Sequence, residues 1–238
     1  MKSLTGTIIA IVIMLGWMTS LYFLLTLDFQ FIILALIPGI ILQTYLYTGL
    51  FITAHDAMHG TISPGNPAIN KLFGSLSVAL YALMFYPLLN KEHKKHHLFP
   101  GSNQDPDFHE EGNLSFFAWY YKFAAHYIRW WQILGMALLF NILHHLLKVE
   151  LANLLLFWVL PSLLSTLQLF YFGTYLPHRE TSIPFPDKHQ ANSLEMSQFI
   201  SLLSCYHFGG YHHEHHLWPQ ASWWNLPSFT KKMRSLHQ

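Results

Sequence analysis

Apolar residues fall along this chain in long runs, with no two-residue alternation to suggest strands. Residues 5–26 are almost unbroken apolar sequence, and about 20 such residues cross a bilayer, so this run predicts a first span. Leu27-Asp28 makes a very short turn. A second run, 31–54, predicts the next span, with Pro38-Gly39 as a kink. Its last turns carry His55, Asp56 and His59 out of the hydrocarbon. A breaker cluster, Ser63-Pro64-Gly65-Asn66-Pro67, follows. Runs at 131–147 and 151–176 predict the third and fourth spans, the latter kinked at Pro161. Between them and the breaker cluster, residues 116–131 are aromatic with Lys122, His126 and Arg129 interleaved, which predicts an interfacial helix. One apolar run does not fit a simple count. If 72–89 crossed fully, it would put the histidines before it and after it on opposite membrane faces. It is therefore expected to be an in-plane or re-entrant segment, broken near Pro87.

Composition agrees with a membrane protein. Charged residues are 11% of 238 and aromatics 16%, where soluble proteins have about 25% charged residues. The net charge of +1 and the scattered Lys and Arg leave no basic stripe and argue against nucleic acid. A single cysteine, Cys205, excludes an intrachain disulfide and any site built on several thiolates. The first apolar run, after Lys2, is longer than a signal peptide's and reads as a retained span. With the N-terminus inside, four spans return the C-terminus inside. Every Lys and Arg except Lys148 then lies on that side, in accord with the positive-inside rule. The histidine groups would be cytoplasmic too.

Those groups carry the chemistry. The chain holds 17 histidines. His55-x-x-x-His59 is followed by His93-x-x-His96-His97 and by His212-x-x-His215-His216, within the stretch His207-Phe208-Gly209-Gly210-Tyr211-His212-His213-Glu214-His215-His216. Residues three and four apart share a helix face, so each triplet is expected to point at one centre. Eight imidazoles exceed the roughly four ligands of one ion and call for two metals. His178, after the fourth span, is a candidate ninth ligand. Asp56, Asp105, Asp107 and Glu214 lie beside these groups and are placed to accept the other ring N–H, although each also reads as a solvated carboxylate. His207, five residues before His212, is off-face and expected in a supporting role. His213 should point elsewhere, His109 should support the site through its loop, and His126, His144, His145, His189 and His237 read as interface or surface residues. A two-metal centre at a membrane face suggests oxidation of a buried lipid, for which iron can carry O₂ chemistry that zinc cannot.

The three histidine groups resemble those of the membrane fatty-acid desaturase and hydroxylase superfamily. Within it, Ala54-His55-Asp56-Ala57-Met58-His59, Asp105-Pro106-Asp107-Phe108-His109 and Leu176-Pro177-His178 make the chain similar to the bacterial and cyanobacterial β-carotene ketolases, over about residues 35 to 230. The resemblance implies an all-α integral membrane protein: one desaturase-like domain over 1–238, with four transmembrane helices, interfacial helices and a cytoplasmic histidine-rich di-metal cap. It implies two iron ions held by His55, His59, His93, His96, His97, His178, His212, His215 and His216, with Asp56, Asp105, Asp107 and His207 in supporting catalytic roles. O₂ would be co-substrate, with reduced ferredoxin or a similar donor supplying electrons. β-Carotene or a related carotenoid would be hydroxylated twice at ring C4, and the geminal diol would lose water to give echinenone and then canthaxanthin. A carotenoid 3-hydroxylase would share the histidine boxes. A fatty-acid desaturase or alkane hydroxylase is a more distant alternative, and a membrane metal transporter is the non-enzymatic one. Transporter histidines should lie within the spans, whereas these cluster beyond span ends.

Overall fold

The computed structural model describes residues 4–109, 113–181 and 184–235; Lys2 and His237 lie outside them. Among the described residues the chain is helical, without strands. Among the described residues, three helices are long and apolar enough to cross a membrane: α1 (Thr5–Leu25), α2 (Phe29–Met58) and α7 (Leu151–His178). Together they make this a membrane protein. Apolar side chains cover their outer faces, and Ile33 and Leu34 of α2 are 83% and 77% exposed.

The bundle is held by aromatic contacts and by buried hydroxyls. Trp17 of α1 meets Tyr47 of α2 edge to face at 5.2 Å. Beside it, Thr48 bonds Ser165 at 2.9 Å and Gln168 Oε1 at 2.6 Å, tying α2 to α7. Asn153 Nδ2 donates to the carbonyls of Leu25 and Leu27. The first is a carbonyl that the end of α1 leaves open and the second lies in the turn, so the turn at Asp28 is fastened to the start of α7.

The run at 72–89 is not one helix. Helix α3 (Pro67–Ala82) ends where Leu83 takes a left-handed conformation with φ 51°. Helix α4 (Tyr86–Leu98) leaves at 101° to it. Pro87 sits in the first turn of α4, where its missing N–H has no intrahelical partner to lose; the break itself is at Leu83. Gly74 permits the fold-back, because a Cβ there would lie 2.1 Å from the Tyr86 ring. The bend turns the polar α4 away from the line of α3 and beneath the end of α2.

The aromatic stretch is also divided. Helix α5 (Phe116–Tyr127) ends at the extended residues Ile128 and Arg129, and α6 (Trp130–Asn141) begins a new direction, continuing as a π turn over Ile142–Leu146. From Trp130 to Leu146 the rise is about 25 Å, short of the ~30 Å hydrocarbon core. The expected third span is thus not among the three long apolar helices. Three shorter helices close the chain: α8 (Gln198–Cys205), α9 (His212–Leu217) and α10 (Leu226–Ser235).

Candidate metal centre

Four separated segments deliver histidines to one place. They are the last turn of α2, the middle of α4, the end of α7 and the short α9. Their ring nitrogens fall into two sets, each with all its donor atoms within 4.8 Å of one another. One set is His55, His59, His93, His97 and His215; the other is His96, His178, His212 and His216. The second set is wholly buried, whereas His59, His93 and His97 are half-buried.

The triplets therefore do not each point at one centre. In α4, His93 and His97 serve the first set and His96 the second. In α9, His212 and His216 serve the second set and His215 the first. Helix geometry explains the exchange. Residues four apart differ by only about 40° around the axis, whereas adjacent ones differ by about 100°. The i and i+4 rings share a centre, and the i+3 ring is aimed at its neighbour.

The donor set can be tested against hydrogen bonding. His178 and His212 Nε2 lie 2.9 Å apart, His212 and His216 3.1 Å, and His216 and His96 3.2 Å. His59 and His93 Nε2 are 2.7 Å apart, and His97 and His215 3.0 Å. An imidazole nitrogen offers one in-plane proton or one lone pair, yet His212 and His216 each have two such neighbours. Hydrogen bonds cannot satisfy that chain; lone pairs converging on a shared cation can. Donors about 2.1 Å from an ion lie about 3.0 Å apart when at right angles, which is the spacing observed. Burial, and then the neighbouring imidazoles, hold His212, His215 and His216 well below the usual histidine range. They stand neutral, as ligands must.

Outside the two sets, Asp105 is the best-placed carboxylate. It accepts from His96 Nδ1 at 3.0 Å and from the backbone N–H groups of Asp107 and Gly101 at 2.9 and 3.0 Å. Asp107 lies 3.8 Å from His96 Nδ1 and accepts the Tyr127 hydroxyl at 2.5 Å. Burial pushes its carboxyl up to about 6. Asp56 sits 3.6 Å from His55 Nδ1, but its bond is to the backbone N–H of Trp223, so it fastens the 218–227 loop to α2. Glu214 is held by Ser193 and Arg234 and reaches no ring. His207 belongs to neither set. It has φ 73° and packs on Tyr211 and Trp223. His213 turns to Asp187, and His109 packs on Phe108 and Trp119 away from the donors.

Some contributors give little sign in the sequence. The Gln190 carbonyl meets His178 Nδ1 at 2.7 Å, and nothing in a polar loop marks one carbonyl. Helix α5 is clamped across the site by Trp119 Nε1 to the Asp107 carbonyl, Lys122 to the Phe108 carbonyl, and His126 to Glu92. The aromatic run points to a membrane interface, yet its inward face supplies Tyr127 and Phe123. Both line a cavity that also touches His55, His93, His96, His212, His215 and His216. Phe51, Leu169 and Phe208 make its walls apolar.

The sequence is similar to known proteins. A sequence profile described as Fatty acid desaturase matches residues 31–152 and 122–237. A β-carotene ketolase of Paracoccus sp. is 44% identical over 79% of this chain and 76% of its own length. β-Carotene 4-ketolase 3 of Haematococcus lacustris is 42% identical over 79% of this chain and 59% of its own. Zeaxanthin 4-ketolase of Chlamydomonas reinhardtii is 42% identical over 77% and 41%. The cluster of imidazoles at the ends of apolar helices is thus carried by a chain that belongs to the fatty acid desaturase family and, within it, to the β-carotene ketolases.

Proposed function

We infer that this protein is a carotenoid ketolase, an oxygenase that oxidises C4 of a β-ionone ring and converts β-carotene to echinenone and canthaxanthin. The observation that carries the inference is the pair of imidazole sets facing one apolar cavity, in a chain 41–44% identical to named ketolases.

The donor set fits two iron ions, one for each group of imidazoles. When bound, they would supply the activation of O₂ that C–H oxygenation requires. The chain does the rest. Phe51, Leu169 and Phe208 give the ring an apolar seat, which fixes the reacting carbon and keeps bulk water out. Asp105 holds the His96 ring in one orientation. Each hydroxylation takes up one O₂, two electrons and two protons and releases a water, so a reduced ferredoxin or similar donor must deliver electrons. The geminal diol then loses water. Tyr127 lines the cavity with its hydroxyl donated to Asp107 Oδ1, so its oxygen can accept a hydrogen bond from the first-formed C4 hydroxyl and hold that ring for the second oxidation; the diol's own two hydroxyls supply the atoms of the departing water.

Four spans make up the proposed topology. α6 crosses a locally thinned region of the bilayer, both termini and the histidine cap face the cytoplasm, and α3 with α4 stays at that face. The bilayer of a cell inner membrane or a cyanobacterial membrane is the proposed home. Expression in a β-carotene-producing bacterial host, with chromatography of the pigments, tests the function. Ketolated rings are expected. Rings hydroxylated only at C3 would assign the chain to a 3-hydroxylase instead, and unchanged pigment would overturn the inference.

A further inference from the structure

The two imidazole sets do not meet solvent alike. The second is wholly buried, but His59, His93 and His97 of the first are half-buried. Over His59 lies an open cleft of about 400 Å³, walled by Asn66 and Lys71 at the start of α3 and by Pro87 and Asn90 of α4. The bend between these two helices shapes it. His59 lines the cleft and not the apolar cavity, whereas His55, His93 and His215 of the same set line the cavity and not the cleft. The first set is thus reached from two sides, from the surface through the cleft and by an apolar guest through the cavity.

Charge distinguishes the surroundings of the cleft. Between residues 57 and 98 the chain carries Lys71, Lys91, Lys94 and Lys95 and a single acid, Glu92. Glu92 is buried and held by His126 and Lys95, while Lys71, Lys91 and Lys94 are exposed. Burial, then the neighbouring imidazoles and the Lys94 ammonium, hold His59 well below the usual histidine range, which puts Lys94 near that ring. The loop over the second set differs. Residues 179–195 set Glu180, Asp187 and Glu195 against Arg179 and Lys188, and the Gln190 carbonyl closes on His178. One side of the histidine cap is basic and open to a metal-set imidazole; the other is close to neutral and shut.

A basic rim repels metal ions and other cations and draws an acidic partner. The oxygenase reaction inferred above consumes two electrons for each hydroxylation. The single cysteine, Cys205, is buried, so the chain has no dithiol to store them. We propose that the cleft over His59, with its rim of Lys71, Lys91 and Lys94, is the docking face for an acidic one-electron carrier protein. The proposal rests on the oxygenase reading and adds where its electrons enter. The cleft admits a loop tip of the carrier and brings its redox group toward His59. Each visit oxidises the carrier by one electron, so two visits, with two protons from solvent, supply one hydroxylation. Substrate stays on the far side of the set, in the cavity.

The test titrates ferredoxin, an acidic one-electron carrier, against the full iron-loaded chain in detergent. Its Kd and the second-order rate of re-oxidation of reduced ferredoxin are read at about 0.02 M and about 0.5 M salt. Lys71→Glu with Lys91→Glu is expected to raise Kd and lower the rate at least about tenfold at low salt. The gap should close to about twofold at high salt, where exposed charges are screened. Lys188→Glu makes the same kind of charge change on the other side of the cap and should stay within about twofold of the wild type at both salts. An unchanged Kd in the double variant, or an equal rise in Lys188→Glu, would overturn the proposal. If the double variant loses iron, Lys71→Glu alone, outside α4, gives the same reading with a rise of about threefold. Wild-type protein that oxidises ferredoxin yet forms no ketone would refute the ketolase reading and leave the docking face standing. Wild-type protein that forms ketone in cells yet neither binds nor oxidises ferredoxin would overturn the docking face alone.

Discussion

Replacing Asp105 with Asn probes how one carboxylate organises one half of the metal centre. Oδ1 accepts from His96 Nδ1 and from the Asp107 N–H, and Oδ2 accepts from the Gly101 N–H. An amide keeps one acceptor oxygen. Whichever way the introduced amide turns, its NH₂ confronts a backbone N–H, leaving a buried donor unsatisfied at about 1–3 kcal/mol. The His96 N–H also loses a charged acceptor. Removing such a partner lowers metal affinity about 10–100-fold, or about 1.4–2.7 kcal/mol. Only His96 of the nine donors is bonded to Asp105, so the loss should fall on the set with His178, His212 and His216. The assay is competitive chelation of iron from purified protein in detergent, with metal content per chain read at each step. Asp105→Asn is expected to release one ion at a chelator concentration about 10–100-fold lower than the wild type requires, with the second ion held as before. Simultaneous weakening of both ions, or of neither, would refute the division into two sets and the role given to Asp105.

Three further outcomes follow from the same geometry. His207→Asn should retain both metals and ketolase activity within about twofold, since its ring joins neither set and Asn tolerates positive φ; loss of metal or of activity would restore the supporting role expected from the sequence. Tyr127→Phe should leave metal content unchanged but raise the share of 4-hydroxylated pigment over ketone, and an unchanged product ratio would remove the hydroxyl from the second oxidation. Metal-free protein should melt at a lower temperature at pH 5.5 than at pH 7.5. His212, His215 and His216 resist protonation when folded, whereas the unfolded chain takes up protons below about pH 6.5. Stability therefore falls as pH falls, by up to about 1.4 kcal/mol per pH unit for each ring; equal melting temperatures at the two pH values would contradict the neutral state of these imidazoles.

Much of this is legible in the sequence, and the exceptions have physical causes. Long apolar runs and histidines at spacings of three and four give both the membrane helices and the candidate donors, because each is a local pattern with a fixed period. The sharing of each triplet between two centres is not evident from spacing alone, although it follows from the angle between His215 and His216 once two centres flank α9. Pro87 suggests a break within 72–89, but the chain breaks at Leu83 instead, where it turns left-handed and folds back over Gly74. The role of α5 is half visible. Exposed Phe117 and Tyr121 mark the membrane side, but the inward turn of Tyr127 toward Asp107 depends on a loop whose path the sequence does not specify. Glu214 reads as a partner for a ligand ring; Ser193 and Arg234, distant in sequence, draw it away.

The central claim is that nine imidazoles make two neighbouring centres of five and four donors. Iron content of the purified, reconstituted protein, combined with X-ray absorption at the iron edge, tests it most directly. The expected result is close to two irons per chain, each with a shell of nitrogen and oxygen, an iron–iron distance resolved, and a loss of about one iron in His178→Ala. One metal per chain, a sulfur atom in the shell, or full retention of both irons in that variant would contradict it.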